Sequence, residues 1–216
     1  MRKPLHLSLF IIFGLFGCYT VPETGRSALT IIPENSLAQQ SKLAFSQMKS
    51  QKRISHNRQY NNTVQRVGRR IATAAGHQVQ SADWEFIVFD DASQINAFAM
   101  PGGKIGVYTG LLNLVSSDDE LAFVMSHEVS HVAARHSNEQ MSQKIMLLGG
   151  GFLLGKAIED HKLKNMILAA YGGLGTLGTL RYGRSHESEA DKIGQRIMAR
   201  AGYDPRASVT FWQKMM

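Results

Sequence analysis

The motif that most constrains this chain is H-E-x-x-H, which runs from His127 to His131. In an α-helix, residues four apart lie above one another, so His127 and His131 point the same way and can bind one metal ion. Glu128 lies about 100° further round the helix, within reach of a water molecule beside that ion. Zinc suits imidazole ligands, and a catalytic zinc usually has three protein ligands and an open position. The motif predicts a zinc site with Glu128 as its general base.

The residues around this motif predict that it lies on a helix. Ser117 and Glu120 have the spacing of a capping box, which marks a helix N-terminus. Apolar residues follow at helical spacing, so one face of the helix is expected to be buried. H-E-x-x-H is short, however, and a surface helix with two stacked histidines is the alternative. The apolar residues are Leu121, Val124, Met125 and Val132.

A second helical pattern downstream contains a candidate for the third ligand. Glu187 and Asp191 are four residues apart and share one helix face. We predict that Glu187 binds the zinc and that Asp191 hydrogen-bonds the far nitrogen of a ligand histidine, which fixes its tautomer. Glu189 lies about 200° from Glu187 around the helix, so it should face away and contribute little to zinc binding. The apolar positions of this helix are Ala190, Ile193, Ile197 and Met198.

Four motifs occur in the order and spacing of a known family. They are residues 96–103 (N-A-F-A-M-P-G-G), the H-E-x-x-H helix with its extension to His136, residues 184–191 (R-S-H-E-S-E-A-D) and residues 201–205 (A-G-Y-D-P). From about residue 24 to its end, the chain resembles the HtpX-like and CAAX prenyl protease zinc metallopeptidases, which are gluzincins. The resemblance is to their bacterial periplasmic lipoprotein branch in particular. It implies a zincin-like α+β fold, mostly helical, with a small β-sheet beside the H-E-x-x-H helix.

This resemblance also implies a function. It indicates a zinc endopeptidase, with one Zn²⁺ per chain, that hydrolyses unfolded or misfolded envelope proteins. Arg184, which precedes Glu187 by three residues as in the family, is expected to pair with a carboxylate or to stabilise the oxyanion. One alternative is a chaperone-like lipoprotein of the outer-membrane assembly machinery with a regulatory metal site; another is a zinc hydrolase of non-peptide amides. Family members usually continue beyond the position of Met216, so the chain is expected to be a fragment or a short member.

The N-terminus predicts a lipid anchor. Arg2 and Lys3 precede an apolar run over residues 5–17, which is too short to span a bilayer and ends at the only cysteine, Cys18. This resembles a bacterial lipoprotein signal, with cleavage before Cys18 and lipidation of its thiol. By the same resemblance, Tyr19 favours the periplasmic face of the outer membrane. An ordinary signal peptide, or an anchor with an incidental cysteine, is the alternative.

The domain organisation follows from these features. We predict a lipoprotein signal peptide at 1–17, a lipid-anchored tether at 18–33 and one zinc metallopeptidase domain at 34–216. Helices are expected over 34–52 and 60–75, and short strands over 84–89, 95–100 and 104–109. Strands followed by helices are typical of an α+β fold.

Residues 96–99 are predicted to bind substrate. They belong to a short strand, and an edge strand beside the zinc would offer unpaired N–H and C=O groups to an extended peptide. In the family that the chain resembles, this segment borders the active site. The alternative is an ordinary core strand. The residues are Asn96, Ala97, Phe98 and Ala99.

Two other regions allow more than one interpretation. Residues 145–181 contain two glycine-rich apolar runs, each too short to span a membrane, and predict a core hairpin or a lid over the cleft, with a membrane-dipping surface as the alternative. His136 lies five residues after His131, about 140° further round a continuous helix, so it should not share the metal face and a structural role is favoured.

Other functions find little support in the chain. Its formal net charge is +7, which could favour nucleic acid or anionic lipid, but it contains no nucleic-acid-binding motif. The glycines at 172–175 lack the strand–turn–helix context of a dinucleotide-binding loop. No serine lies in a G-x-S-x-G motif. We therefore expect a solvated basic surface and no nucleic-acid partner.

Overall fold

The computed structural model describes residues 17–79, 81–147, 160–171 and 182–215. Over these residues the chain forms eight α-helices, five short strands and one 3₁₀ helix (Gly76–Val79). The strands are β1 (Cys18–Thr20), β2 (Ser27–Leu29), β3 (Glu85–Phe89), β4 (Ala97–Met100) and β5 (Lys104–Tyr108). The helices are α1 (Glu34–Gln51), α2 (Arg58–Ala75), α3 (Thr109–Leu114), α4 (Asp118–Ala133), α5 (His136–Leu147), α6 (Asp160–Tyr171), α7 (Arg184–Arg200) and α8 (Ala207–Met215).

The predicted fold class is confirmed: the structure is mostly helical, with a small mixed sheet beside the H-E-x-x-H helix. β5 is the central strand of this sheet; β3 pairs with it in parallel and β4 antiparallel. Gly106 in β5 leaves room for Phe98 of β4, because a Cβ at Gly106 would meet the Phe98 ring at 2.4 Å. β4 packs against α4, so the sheet edge lies directly beside the H-E-x-x-H helix.

α4 is the central helix of the domain. The Ser117 side chain caps it by accepting a hydrogen bond from the Glu120 N–H, as predicted. The Glu120 carboxylate reaches one residue further back than in a capping box and accepts from the Ser116 N–H. From Glu120 to His131 nearly every residue is buried, because α2, α7, α8 and β4 pack around the helix. The two ligand histidines are therefore held by a helix that is fixed from several directions.

The N-terminal segment that was expected to be an extended tether is packed onto the domain. β1 and β2 form an antiparallel hairpin, in which Val21 and Ala28 are buried. Cys18 is exposed at its start. The predicted signal peptide at 1–17 lies almost entirely outside the described residues. Among the described helices, none combines the length and the apolar character needed to cross a bilayer.

The region 145–181 is described only in part. α5 continues to Leu147, and α6 packs against α1 through Leu163, Ile167 and Tyr171, which are buried in one apolar cluster with Phe98. α6 is therefore part of the core, which is one of the predicted alternatives. Residues 148–159 and 172–181, on which the lid and membrane alternatives depend, lie outside the described residues.

Candidate active site

Three predicted ligands converge at one point between α4 and α7. The ligand atoms of His127, His131 and Glu187 all lie within 4.8 Å of one another. The two histidine Nε2 atoms are 3.1 Å apart, and the Glu187 carboxylate oxygens lie 3.4 Å from His127 Nε2 and 3.8 Å from His131 Nε2. Two nitrogens bound at about 2.0–2.1 Å to a tetrahedral zinc are about 3.3 Å apart, so this donor set fits Zn²⁺ in both chemistry and spacing.

Asp191, the predicted partner of a ligand histidine, lies beside His127. The Nδ1 atom of His127 is 2.9 Å from the Asp191 carboxylate. A carboxylate only accepts, so Nδ1 of His127 carries a proton, and a metal ion would take the lone pair of Nε2 in place of a second proton. Burial disfavours the imidazolium, but hydrogen bonds to Asp191 and Glu187 outweigh it, and the pKa of His127 rises to about 10. This concentration of negative charge also attracts a cation.

A glycine sets the distance between the two ligand-bearing helices. A Cβ on Gly194 of α7 would meet the His127 N and Cα atoms at 3.0 and 3.1 Å. α7 can therefore lie directly against the backbone of α4 at the first ligand, which brings Glu187 and Asp191 to the imidazole of His127.

Glu128 is placed and tuned as a base. Its carboxylate is buried, and burial together with the nearby Glu187 raises its pKa to about 7, although His127 and the Ala99 N–H act in the opposite direction. A carboxylate with a pKa near neutrality can both take up and release a proton at physiological pH. The hydrogen bond from Ala99 also places β4 directly at the base.

The backbone of β4 presents an edge to the site. The Tyr108 N–H bonds to the Asn96 carbonyl, so 96/108 is a hydrogen-bonded pair, and the alternation of an antiparallel ladder makes 98/106 the next. The backbone groups of Ala97 and Ala99 therefore point away from β5, and the Ala99 N–H meets Glu128. Among the described strands, none pairs with this side of β4.

The side chain beside His131 was not predicted from the sequence. His131 Nδ1 lies 2.8 Å from Nδ1 of His136, which is fully buried. α4 ends at Ala133, and Arg135 has a positive φ of 55°, so the chain turns back before α5 begins. His136 is not one of the candidate metal ligands, as predicted, but the 140° estimate assumed a continuous helix: because the chain turns at Arg135, His136 contacts Nδ1 of the ligand His131. Burial lowers the pKa of His136 to about 4, so it is neutral.

Glu189 continues this chain of contacts. Its carboxylate points away from the ligand cluster, as predicted, but accepts hydrogen bonds from His136 Nε2 at 2.9 Å, Arg26 Nε at 2.6 Å and the Thr24 hydroxyl. Arg26 comes from the N-terminal hairpin and also pairs with Glu139 at 2.8 Å. The expectation that Glu189 contributes little overlooked these contacts, because helical periodicity shows which way a side chain points but not what it meets.

Arg184 is exposed at the start of α7 and forms no ion pair with the described residues, so neither predicted role is visible.

Tyr182, which the sequence analysis did not single out, stacks on the His131 ring with centroids 4.0 Å apart. Its hydroxyl and that of Tyr171 bond to Ser137 Oγ at 2.9 and 2.6 Å. No motif marks these tyrosines, since they come from separate segments.

A mostly helical domain in which an H-E-x-x-H helix meets a glutamate from a second helix defines the zincin class of metallopeptidases. The sequence model that describes Peptidase family M48 matches residues 58–216, and the chain belongs to this family. Membership implies zinc, for which His127, His131 and Glu187 are the candidate ligands.

Named relatives extend this finding. The chain is 35% identical over 152 residues to the mitochondrial metalloendopeptidase OMA1 of Schizosaccharomyces pombe, which covers 70% of this chain and 43% of that protein. It is 37% identical over 144 residues to OMA1 of Arabidopsis thaliana, covering 67% of this chain and 28% of the relative. It is 28% identical over 204 residues to the beta-barrel assembly-enhancing protease of Escherichia coli, covering 91% and 41%. The matched region thus spans less than half of each relative.

Proposed function

We propose that this protein is a zinc-dependent metalloendopeptidase that cleaves unfolded or misfolded proteins of the bacterial envelope. The observation that carries the proposal is the convergence of His127, His131 and Glu187 beside the buried base Glu128 and an open sheet edge. A binding protein with a regulatory metal would need the ligands but not the base.

The residues have distinct roles in this reaction. A zinc ion held by the three ligands supplies Lewis acidity, which polarises a peptide carbonyl and acidifies a water molecule. Glu128 takes a proton from the attacking water and delivers it to the leaving amine nitrogen, a task suited to its pKa of about 7. Asp191 holds the His127 ring in the tautomer that leaves Nε2 free.

The edge of β4 suits an extended substrate. An incoming peptide can pair with the outward-facing backbone groups of Ala97 and Ala99, with Asn96 and Phe98 holding β4 to β5 behind it. The Ala99 N–H that acts on Glu128 would then pair with the peptide instead. Main-chain recognition of this kind requires an extended chain, so folded proteins should be cleaved only after local opening.

The envelope location is part of the proposal. Lipidation of Cys18, which is exposed at the start of the N-terminal hairpin, would attach the domain to the periplasmic face of the outer membrane. The similarity to the beta-barrel assembly-enhancing protease supports substrates or partners from the outer-membrane assembly machinery. Mass spectrometry of the mature N-terminus tests the anchor: acylated Cys18 is expected, and a mature protein cleaved elsewhere would contradict it.

The central experiment is incubation of the zinc-loaded protein with an unfolded and a folded form of the same polypeptide. We expect cleavage of the unfolded form only. Glu128→Gln keeps the side-chain shape but removes the proton acceptor, so cleavage should fall at least 10²-fold while zinc remains bound. Near-normal cleavage by this variant would exclude the mechanism.

A pair of proline variants tests the substrate edge. Ala99→Pro removes an N–H that faces the site, whereas Phe98→Pro removes one that belongs to the ladder with β5. We expect Ala99→Pro to fold, bind zinc and cleave peptides slowly, and Phe98→Pro to unfold the sheet. Normal cleavage by a folded Ala99→Pro variant would show that peptides do not pair with this edge.

A further inference from the structure

We propose that Arg26 is a positioning residue for the zinc ligand His131, acting through Glu189 and His136. The four side chains form one continuous hydrogen-bonded chain from the N-terminal hairpin to the metal site. This inference rests on the zinc site proposed above. It assigns to the hairpin a role in zinc binding, although it lies more than 100 residues before the first ligand.

The atom that carries each proton in this series of hydrogen bonds follows from Glu189. Glu189 is a carboxylate, which accepts and does not donate, so Nε2 of His136 must carry the proton in their 2.9 Å contact. An imidazole that donates through Nε2 and accepts through Nδ1 fits this contact, and zinc on Nε2 of His131, on which this inference rests, requires His136 to be the acceptor. The 2.8 Å contact between the two Nδ1 atoms then requires the proton to lie on His131.

The position of this proton determines whether His131 can bind zinc. With its proton on Nδ1, His131 has a lone pair on Nε2, and this atom lies 3.1 Å from His127 Nε2 at the point where the ligands converge. The opposite tautomer would place an N–H there and prevent zinc binding. Glu189 therefore selects the binding tautomer of His131 although the two side chains do not touch.

Arg26 is the residue that keeps Glu189 in the required state. Its guanidinium donates to Glu189 at 2.6 Å and reaches Glu139 at 2.8 Å, and it holds both buried carboxylates as acceptors. Arg26 is itself only 29% exposed, and the Thr24 hydroxyl of the same hairpin donates to the second Glu189 oxygen. Without this cation, a buried carboxylate beside a neutral imidazole loses the partner that stabilises its charge.

The test begins with the unmodified, zinc-loaded chain. Long-range ¹H–¹⁵N correlation spectra of its histidine rings report which nitrogen carries the proton and which binds metal. We expect His131 protonated on Nδ1 with a zinc-shifted Nε2, and His136 protonated on Nε2. If zinc leaves His131 Nε2 unshifted, both the zinc site and this inference are wrong. If zinc shifts it but His136 carries its proton on Nδ1, only the inference fails.

Variants then test the role of Arg26. Arg26→Met should weaken zinc binding about 10-fold in a chelator competition, and Arg26→Lys should restore most of the affinity. The matched control is Lys214→Met, which removes a cation of the same exposure, 30%, from the equally buried Glu120 at the far end of α4. Equal zinc affinities of Arg26→Met and Lys214→Met would overturn the proposal. If Arg26→Met does not fold, the tautomers of the unmodified chain decide.

Discussion

His127 and His131 lie one turn apart on α4, yet the side chains at their Nδ1 atoms differ in burial and in origin. His127 is held directly by Asp191, whose side chain is 40% exposed. His131 is held by His136, which is fully buried, and through it by Glu189, which is 7% exposed. One ligand is therefore fixed by a single solvent-facing contact and the other by a buried chain.

We call His127 with Asp191 the His127 side, and His131 with His136 and Glu189 the His131 side. The two sides differ because they meet opposite faces of α7. Glu187 and Asp191 lie on the face toward the ligands, whereas Glu189 lies on the opposite face and reaches His136 and the N-terminal hairpin. The buried contacts on the His131 side are hydrogen-bonded except at Arg26 Nη2, which has no partner among the described residues, and the removal of a member of such a network is costly. We infer that the His131 side is organised before zinc binds, while the His127 side is completed by the metal.

The largest effect should come from Glu187→Ala, which removes the ligand that the two sides share. The expected result is loss of zinc during dialysis, because a site with two remaining protein ligands holds the ion poorly. Metal analysis of the dialysed protein measures this. Lys192→Ala, an exposed change on the same helix, is the control and should retain one zinc per chain. Retention of zinc by Glu187→Ala would mean that another residue is the third ligand.

Asp191→Ala and Glu189→Ala should distinguish how the His127 side and the His131 side contribute to zinc affinity and to the stability of the metal-free protein. Both are expected to weaken zinc binding, by roughly 10–100-fold, because each removes support from a ligand histidine. The metal-free proteins should differ: Glu189→Ala leaves His136 buried without its acceptor and removes one of the two carboxylates that Arg26 binds, at a cost of about 1–3 kcal/mol. Asp191→Ala should cost less, since the side chain that it removes is 40% exposed and its contact with His127 is only partly buried. Chemical denaturation of both metal-free variants makes the comparison, and equal losses would contradict a buried, pre-organised side.

The His127 side could be predicted from the sequence, and the His131 side could not. Glu187, Asp191 and the H-E-x-x-H residues obey helical spacing within single helices, so local periodicity places them. The contact of His136 with His131 could not be predicted because the turn after α4 contains Arg135 with a positive φ, and no glycine marks that turn. Arg26 lies 163 residues from Glu189, a contact that only tertiary packing creates.

The same contrast applies to the fold. Strands β3 to β5 and the long helices follow from hydrophobic patterns and were predicted within a few residues. The N-terminal hairpin was not, because β1 and β2 are three residues each and β2 packs against α5, which lies more than 100 residues further along the chain. Short strands carry too little pattern to be recognised locally.

The smallest effect is expected from Gly194→Ala, which changes the spacing of the helices at His127. Its Cβ would meet backbone atoms of His127 at 3.0–3.1 Å, and backbone cannot move aside as a side chain can. The overpacking, typically about 1–3 kcal/mol, is partly offset by the roughly 1 kcal/mol that alanine gains over glycine in a helix. α7 should shift outward and carry Asp191 and Glu187 with it, so zinc affinity should fall by less than about tenfold.

Gly183→Ala, at the N-cap of the same helix, is the matched control. Among the described residues, its Cβ would approach only the Ser185 hydroxyl, at 3.9 Å, so the cost is limited to the weaker capping by alanine, at most about 1 kcal/mol. Zinc affinity should not change. In Gly194→Ala, nuclear magnetic resonance should show larger changes in the ring signals of His127 than in those of His131 and His136, because the new Cβ meets the backbone of His127 itself. Equal perturbation of both histidines would mean that α7 moves as one body against both sides, and the two supports would then not be independent.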